Sequence, residues 1–289
     1  MYKSLNNLSI ENLSILNYKD LHPLLQSYQP TTIVHLAACK TIAVSENESL
    51  FEKVNVIGTQ NILSIASEYK IKRFIFASTA AVYTEKLDSQ QYVEEDLTIP
   101  SSQYGMSKIK SERKLKNWSE ETNSQSIAFR FFNVAGGFAG GIPESLGSNL
   151  IPRIFQCIST GQQIEIFGDD WNTPDGFAVR DYVHIRDIVD AILISISNLE
   201  ESNLNRGMFE IMNLGTGNGY SVMEVIEAIE RLNLGQIRYR VRPRRVGEVG
   251  FAVSNPTYGY HLMGIKCARD LNEMVQDYAE LLRNTQSTF

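Results

Sequence analysis

The sequence predicts an α/β fold: a doubly wound parallel sheet with a smaller carboxyl-terminal lobe. Two observations predict it. Through the first half of the 289 residues, short apolar runs alternate with longer amphipathic stretches, which is the pattern of βαβ units and a sheet covered on both faces. Beyond Gly136 the alternation loosens into glycine-rich turns and shorter strands, marking a change of architecture. The composition permits a sizeable core, because 43% hydrophobic and 21% charged residues fall in the ordinary globular range.

Taken in order, Leu13–Leu16 is a short strand candidate and the stretch from about Asp20 to Tyr28 a helix. Residues 32–37 (TIVHLA) read as a buried strand that stops in small residues. From Glu48 to Tyr69, Leu50, Val54, Ile57, Ile62 and Ile65 recur at helical spacing. Residues 72–77 form the next strand, Thr84 to Gln103 a polar loop, Tyr104 to Thr122 a helix and residues 126–131 a strand. After the glycine-rich segment come a helix (150–160), a strand (163–167) and a loop following Gly168. A helix (185–197), a strand (210–214), a helix (221–232), a strand (238–241) and a closing helix (269–283) complete the chain. There is no internal repeat.

The formal net charge of -6 argues against a general nucleic-acid or anionic-membrane surface. Arg240, Arg242, Arg244 and Arg245 are a local exception. Cys39, Cys157 and Cys267 show no CxxC spacing and the histidines are scattered, so neither a disulfide framework nor a metal site is expected. The opening residues are polar, and no apolar run approaches the roughly 18 residues of a membrane span. A cytoplasmic protein with no membrane and no nucleic-acid partner is expected.

Tyr104-Gly-Met-Ser-Lys108 at a helix start is the sharpest local signal. Positions i and i+4 share a face, and a lysine ammonium there favours the tyrosinate form. Such a tyrosine can take a proton from a hydroxyl while hydride leaves the carbon. The plainer reading is an exposed tyrosine and lysine. About 25 residues upstream, Phe74-Ile-Phe-Ala-Ser-Thr79 is a strand ending in hydroxyl residues, and parallel-sheet sites form at such carboxyl ends. Thr79 can bond the same substrate oxygen as Tyr104, or it can cap the following turn. By position alone Ser78 is an equal rival.

Ser78-Thr79-Ala-Ala-Val82-Tyr83, Tyr104-Gly-Met-Ser-Lys108 and Arg130-Phe-Phe-Asn133-Val-Ala-Gly resemble successive landmarks of the extended short-chain dehydrogenase/reductase family. The stretch from Phe167 to His184, and Pro243-Arg-Arg245-Val-Gly-Glu248, are similar to its UDP-glucose 4-epimerase branch. The resemblance runs from about Asn17 to Tyr278.

That resemblance implies an incomplete Rossmann-like sheet over residues 1–136 that binds NAD, and a UDP-sugar-binding lobe mainly over 137–289, from which some segments return to the sheet. It implies catalytic roles for Tyr104, Lys108 and Thr79. Lys40, Asn55 and Ser78, with Tyr104 and Lys108, fall on the cofactor side. Thr79, Asn133, Asn149, Leu150, Arg180, Tyr182, Arg245 and Glu248 fall on the substrate side. Arg180 and Arg245 clamp the diphosphate, since a guanidinium offers bidentate bonds to phosphate. Their plainer alternative is a surface ion pair of Arg180 with Asp181 or Asp187. Glu248 takes ribose hydroxyls, where the family more often has Asp. The UDP-hexose substrate, a homodimer through helices 48–69 and 104–122, and the absence of a metal follow from the same resemblance. Gly215-Thr-Gly217-Asn-Gly219 superficially matches a dinucleotide loop but is read as a structural turn.

The family normally opens with GxxGxxG on a first βα unit and an acidic residue after the second strand. The expectation is that this unit is missing, that Leu13–Leu16 corresponds to the family's third strand, and that Asn17 stands where Asp is usual. The edge of the 32–37 strand is then uncovered, and Leu13–Leu16 or a second chain is expected to pair with it. The implied reaction is interconversion of UDP-galactose and UDP-glucose through a 4-keto intermediate. Alternatives are a pseudoenzyme that binds UDP-sugar without NAD, and another nucleotide-sugar epimerase or dehydratase. The dehydratase branch is disfavoured by Ala80, where it typically carries an acidic residue beside the threonine.

Overall fold

The computed structural model describes residues 9–40, 49–86, 89–143, 149–201, 207–245 and 247–286. The chain divides into two compact units, Met1–Thr84 with Leu97–Arg130 and Ser195–Met212, and Glu85–Asp96 with Phe131–Ile194 and Asn213–Phe289. The two units interleave along the chain, with Ser195–Met212 joining the first.

The first unit is a four-stranded sheet of order β1-β2-β3-β7, with β1 Thr32–His35, β2 Arg73–Thr79, β3 Gln125–Phe131 and β7 Phe209–Leu214. β1 and β2 are parallel, with His35 opposite Phe76. Leu13–Leu16 is not a strand, so it does not pair with the β1 edge. Of its apolar residues, Ile15 is taken up by a helix, while Leu13 and Leu16 are exposed. Ile15 packs on Gly58, where a Cβ would lie 2.5 Å from Ile15 Cδ1, and Asn61 Nδ2 donates to Ile15 O at 3.0 Å. β1 also ends at His35, two residues short of the apolar run.

α1 (Tyr18–Tyr28) precedes β1. The long helix between β1 and β2 is not uniform: α2 (Ser49–Phe51) passes through π-helical turns at Glu52–Ile57 into α3 (Gly58–Glu68). Glu48, its expected first residue, lies outside the described residues. π-helical turns are rare and tend to mark functional sites; these carry the buried Asn55. α4 (Gln103–Thr122) starts at Ser102, whose hydroxyl accepts from Gly105 N–H at 3.0 Å. The core between sheet and helices is Leu63, Phe74, Phe76, Leu115, Trp118 and Ala128, apolar residues whose burial drives the unit together.

In the second unit β4 (Asn133–Ala135), β6 (Val179–His184) and β10 (Phe251–Ala252) form a sheet of order β10-β6-β4, and β8 (Gly219–Ser221) pairs antiparallel with β6. β6 occupies part of the loop expected after Gly168. β5 (Ile164–Phe167) pairs in parallel with β9 (Tyr239–Arg242). α5 (Leu150–Thr160), α7 (Val222–Glu230) and α9 (Leu271–Gln286) enclose a core that includes Ile154, Ile164, Val225, Ile229 and Met274. Ser221 and Glu224 form a capping box at α7. α6 (Ile185–Glu200) and α8 (Thr257–Met263) complete the elements. No helix among the described residues is long and apolar enough to cross a membrane.

Asp181 ties this unit together. Its fully buried carboxylate accepts from Thr216 N–H and Oγ1 at 2.8 Å, Gly217 N–H at 3.0 Å, Ser254 N–H at 3.1 Å and Ser254 Oγ at 2.5 Å. The Gly215-Thr-Gly217 segment is therefore a structural turn, as its spacing suggested. Asp181→Asn replaces one acceptor oxygen with an amide that faces donors. Leaving buried groups unpaired costs about 1–3 kcal/mol each, so the variant is expected to lose at least about 3 kcal/mol in urea denaturation; a loss below about 1 kcal/mol contradicts the assignment.

Candidate active site

Each side chain of the first constellation is placed by the end of β2 or the first turns of α4. Apolar Phe74, Ile75, Phe76 and Ala77 bury β2, and the strand carries Ser78 and Thr79 out at its carboxyl end. Side chains alternate across a strand, so these two hydroxyls diverge. Ser78 Oγ turns to the buried Glu112. Thr79 stands beside the Tyr104 phenol and acts to lower its pKa, and its Oγ1 accepts from Ala81 N–H at 3.2 Å. The geometry thus separates the rivals: Thr79 stands with Tyr104, and Ser78 does not.

Burial pushes the Tyr104 phenol above its ordinary value of 10.0; Thr79 opposes that push and Cys39 adds to it. This differs from the lowering expected from Lys108. The Lys108 ammonium is engaged elsewhere, donating to Ala77 O at 2.7 Å and lying 4.6 Å from the Phe76 ring centroid. Burial pulls its pKa down to about 8, with Glu112 acting the other way.

Asn55 sits beside this constellation. Its Nδ2 donates to Cys39 O at 2.9 Å and Ser107 Oγ at 2.8 Å, and its Oδ1 accepts from Cys39 N–H at 2.7 Å. These bonds close within the protein and fix the backbone next to the exposed Lys40. Asn55 therefore ties the Cys39 backbone to α4.

In the second unit the seven remaining candidates line one cavity: Asn133, Asn149, Leu150, Arg180, Tyr182, Arg245 and Glu248. β4 and β6 place Asn133 opposite Tyr182 in parallel register, and α5 begins just after Asn149. Arg180 makes no ion pair with Asp181 or Asp187. Its Nη1 donates to Val179 O at 2.9 Å, and burial pulls the guanidinium below its ordinary value, partly offset by Tyr182 and Glu248. Burial likewise pushes Tyr182 up to about 12, with Arg180 opposing. Arg245 Nη1 pairs with Glu248 at 3.2 Å and lies 3.5 Å over the Phe167 ring. Such a cavity, with three arginines and hydrogen-bonding side chains, suits a diphosphate with polar substituents.

Sequence reasoning missed several participants. Arg153 and Phe167 line the same cavity; Phe167 lay inside the stretch carrying the resemblance, whereas Arg153 carried no signal. Glu112 was also missed, because a glutamate four residues after a lysine reads as an exposed helical pair. Among the described residues no cluster of three or more His, Cys, Asp or Glu could hold a metal ion.

The model of the NAD dependent epimerase/dehydratase family matches residues 2–215. Human UDP-glucose 4-epimerase is 30% identical over 98% of this chain and 82% of its own length. The UDP-glucose 4-epimerase of Halalkalibacterium halodurans is 34% identical over 81% of this chain and 70% of its own. The crystal structure of UDP-glucose 4-epimerase from Stenotrophomonas maltophila, with bound NAD and formylated UDP-arabinopyranose, superposes with a TM-score of 0.87 at 27% identity, covering 96% of this chain and 83% of that one.

The Tyr104–Thr79 contact generates a measurable expectation. Since Thr79 lowers the Tyr104 pKa, Thr79→Val raises it further. Titration of [ζ-13C]tyrosine-labelled protein by NMR is expected to show that upward shift; an unchanged midpoint contradicts the contact.

Proposed function

We propose that this chain, which belongs to the NAD dependent epimerase/dehydratase family, interconverts UDP-galactose and UDP-glucose through a 4-keto intermediate, with NAD as cofactor. The observation that carries this reading is the meeting of Tyr104 with Thr79, one helical turn from the buried Lys108, at the carboxyl end of β2. The cavity that gathers all seven nucleotide-sugar candidates in the second unit supports it.

The residues present fit the nicotinamide end of NAD. A buried ammonium and hydroxyl groups converge at the carboxyl end of a parallel strand, where such cofactors bind. Lys108 and Tyr104 would hold it, with Lys40, Asn55 and Ser78 shaping the surroundings. NAD, when bound, supplies the group that accepts hydride from the sugar and returns it.

Tyr104 takes the proton of the C4 hydroxyl and later gives one back. Its raised pKa keeps the phenol protonated in the free protein, so it starts as an acid that needs a neighbouring positive charge to act as a base. Lys108 is the nearest candidate for that charge. Thr79 holds the same sugar oxygen and orients the Tyr104 hydroxyl. Arg180 and Arg245 bind the diphosphate, Glu248 the ribose hydroxyls, and Asn133, Asn149, Leu150 and Tyr182 the rest of the nucleotide sugar. Binding energy from the nucleotide thereby positions a sugar whose own contacts are few.

The chain acts as a homodimer through α3 and α4. Ile57, in the π-helical turns that lead into α3, and Met106, in α4, are 48% and 38% exposed, an apolar surface that a second copy covers. Light scattering is expected to give twice the 32.6 kDa of one chain, and Ile57→Asp to give the single mass; a wild-type monomer rules the dimer out.

The purified protein is expected to convert UDP-galactose to UDP-glucose. Tyr104→Phe should lower kcat by about 10²–10⁴-fold, the range for removing a general acid–base. A wild-type protein that binds both UDP-sugar and NAD yet yields no product refutes the reading.

A further inference from the structure

Three successive turns of α4 meet the last three residues of β2. Tyr104 stands beside Thr79, Lys108 Nζ donates to Ala77 O, and Glu112 accepts from Ser78 Oγ. The chemistry above uses the first two contacts and leaves the third without a task. Glu112 is 2% exposed. One of its oxygens also accepts from Arg130 Nε at 3.1 Å, and the other from Arg130 Nη2 at 2.8 Å. Arg130 lies in turn 4.7 Å from the Tyr83 ring.

Burying an ion pair is a poor way to gain stability, because apolar residues of the same volume often do as well. The carboxylate therefore asks for a purpose that needs its charge. Lys108, one turn earlier on the same face of α4, is equally buried at 2% exposure. The groups facing it are Tyr104 and Glu112 from α4, the Phe76 ring and Ala77 carbonyl from β2, and His35 from β1. From β3, Arg130 is reached through Glu112. Burial and the Lys108 charge together pull His35 down to about 4, so it is neutral. Tyr104 is neutral also. Glu112 is the one group among these that carries negative charge.

We propose that Glu112 is a positioning residue for the chemistry at Tyr104: its carboxylate holds the Ser78 end of β2 in place and supplies the negative charge that keeps Lys108 an ammonium inside the protein. Arg130 serves the pair by fixing both carboxylate oxygens, so that Glu112 cannot swing away. Loss of the carboxylate leaves burial unopposed, and the lysine becomes neutral at lower pH. The inference rests on the proposed role of Lys108, but its test does not require turnover.

The full chain is labelled with [ε-13C]lysine, and the Lys108 resonance, identified by its disappearance in Lys108→Arg, is followed against pH by NMR. The wild-type midpoint is expected at about 8. In Glu112→Gln it is expected to fall by about 1 unit or more, and in Glu112→Asp to return most of the way. Should Glu112→Gln fail to fold with Arg130 unpaired, the double variant Glu112→Gln, Arg130→Met removes both buried charges and the same fall is expected. A residue with a purely structural role would leave the midpoint in place once the fold is intact, so an unchanged midpoint in a folded variant overturns the proposal. Absence of epimerisation in the wild type would defeat the proposed function and leave this titration standing.

Discussion

Lys108 donates to the Ala77 carbonyl from inside the protein, and that bond sets where Tyr104 stands. α4 can slide along β2 only if it gives up this contact, together with the Ser78–Glu112 bond one turn later. A buried ammonium without an acceptor is far more costly than the bond itself is favourable, so the register is strongly held. Gly105 adds a steric condition, since a Cβ there would run into the Ala81 carbonyl and Pro100. The close approach that brings Tyr104 to Thr79 thus depends on a missing side chain as much as on the bonds.

The second unit solves a different problem. It keeps Arg180 apart from the carboxylate that adjoins it in sequence. Asp181, adjacent to Arg180 in sequence, is turned to the other side of β6 and spends its oxygens on Thr216, Gly217 and Ser254. Alternation along the strand separates the two charges that the sequence sets side by side. Arg180 is then left with a backbone carbonyl as its hydrogen-bond partner, and Arg245 with an exposed, weak pairing to Glu248. Both are available to a stronger, multiply charged anion.

Much of this was legible in the sequence. The apolar runs around Ile33, Phe74 and Ile127 found the sheet because buried parallel strands are nearly continuous in apolar residues. The spacing of Tyr104 and Lys108, and the hydroxyls ending β2, pointed to the constellation. The rest was hidden for identifiable reasons. Leu13–Leu16 reads as a strand, but Ile15 alone packs inward, on Gly58, and Leu13 and Leu16 are exposed; a short apolar run cannot distinguish the cases. β6 was missed because Arg180 and Asp181 interrupt its pattern with charges that have separate tasks. The π-helical turns around Asn55 leave no periodic trace that a helical reading would reject. Glu112 needed Arg130 and Ser78 brought to it by the fold before its burial could be seen.

In the proposed reaction hydride leaves and returns to C4 of the same sugar while Tyr104 handles the proton. The most direct test supplies the protein with UDP-galactose carrying deuterium at C4 and analyses the UDP-glucose formed. Retention of deuterium at C4, with none lost to solvent, is expected. Product in which C4 deuterium has exchanged with solvent hydrogen would show that a proton, and not hydride, is removed from that carbon, and would contradict the proposed reaction.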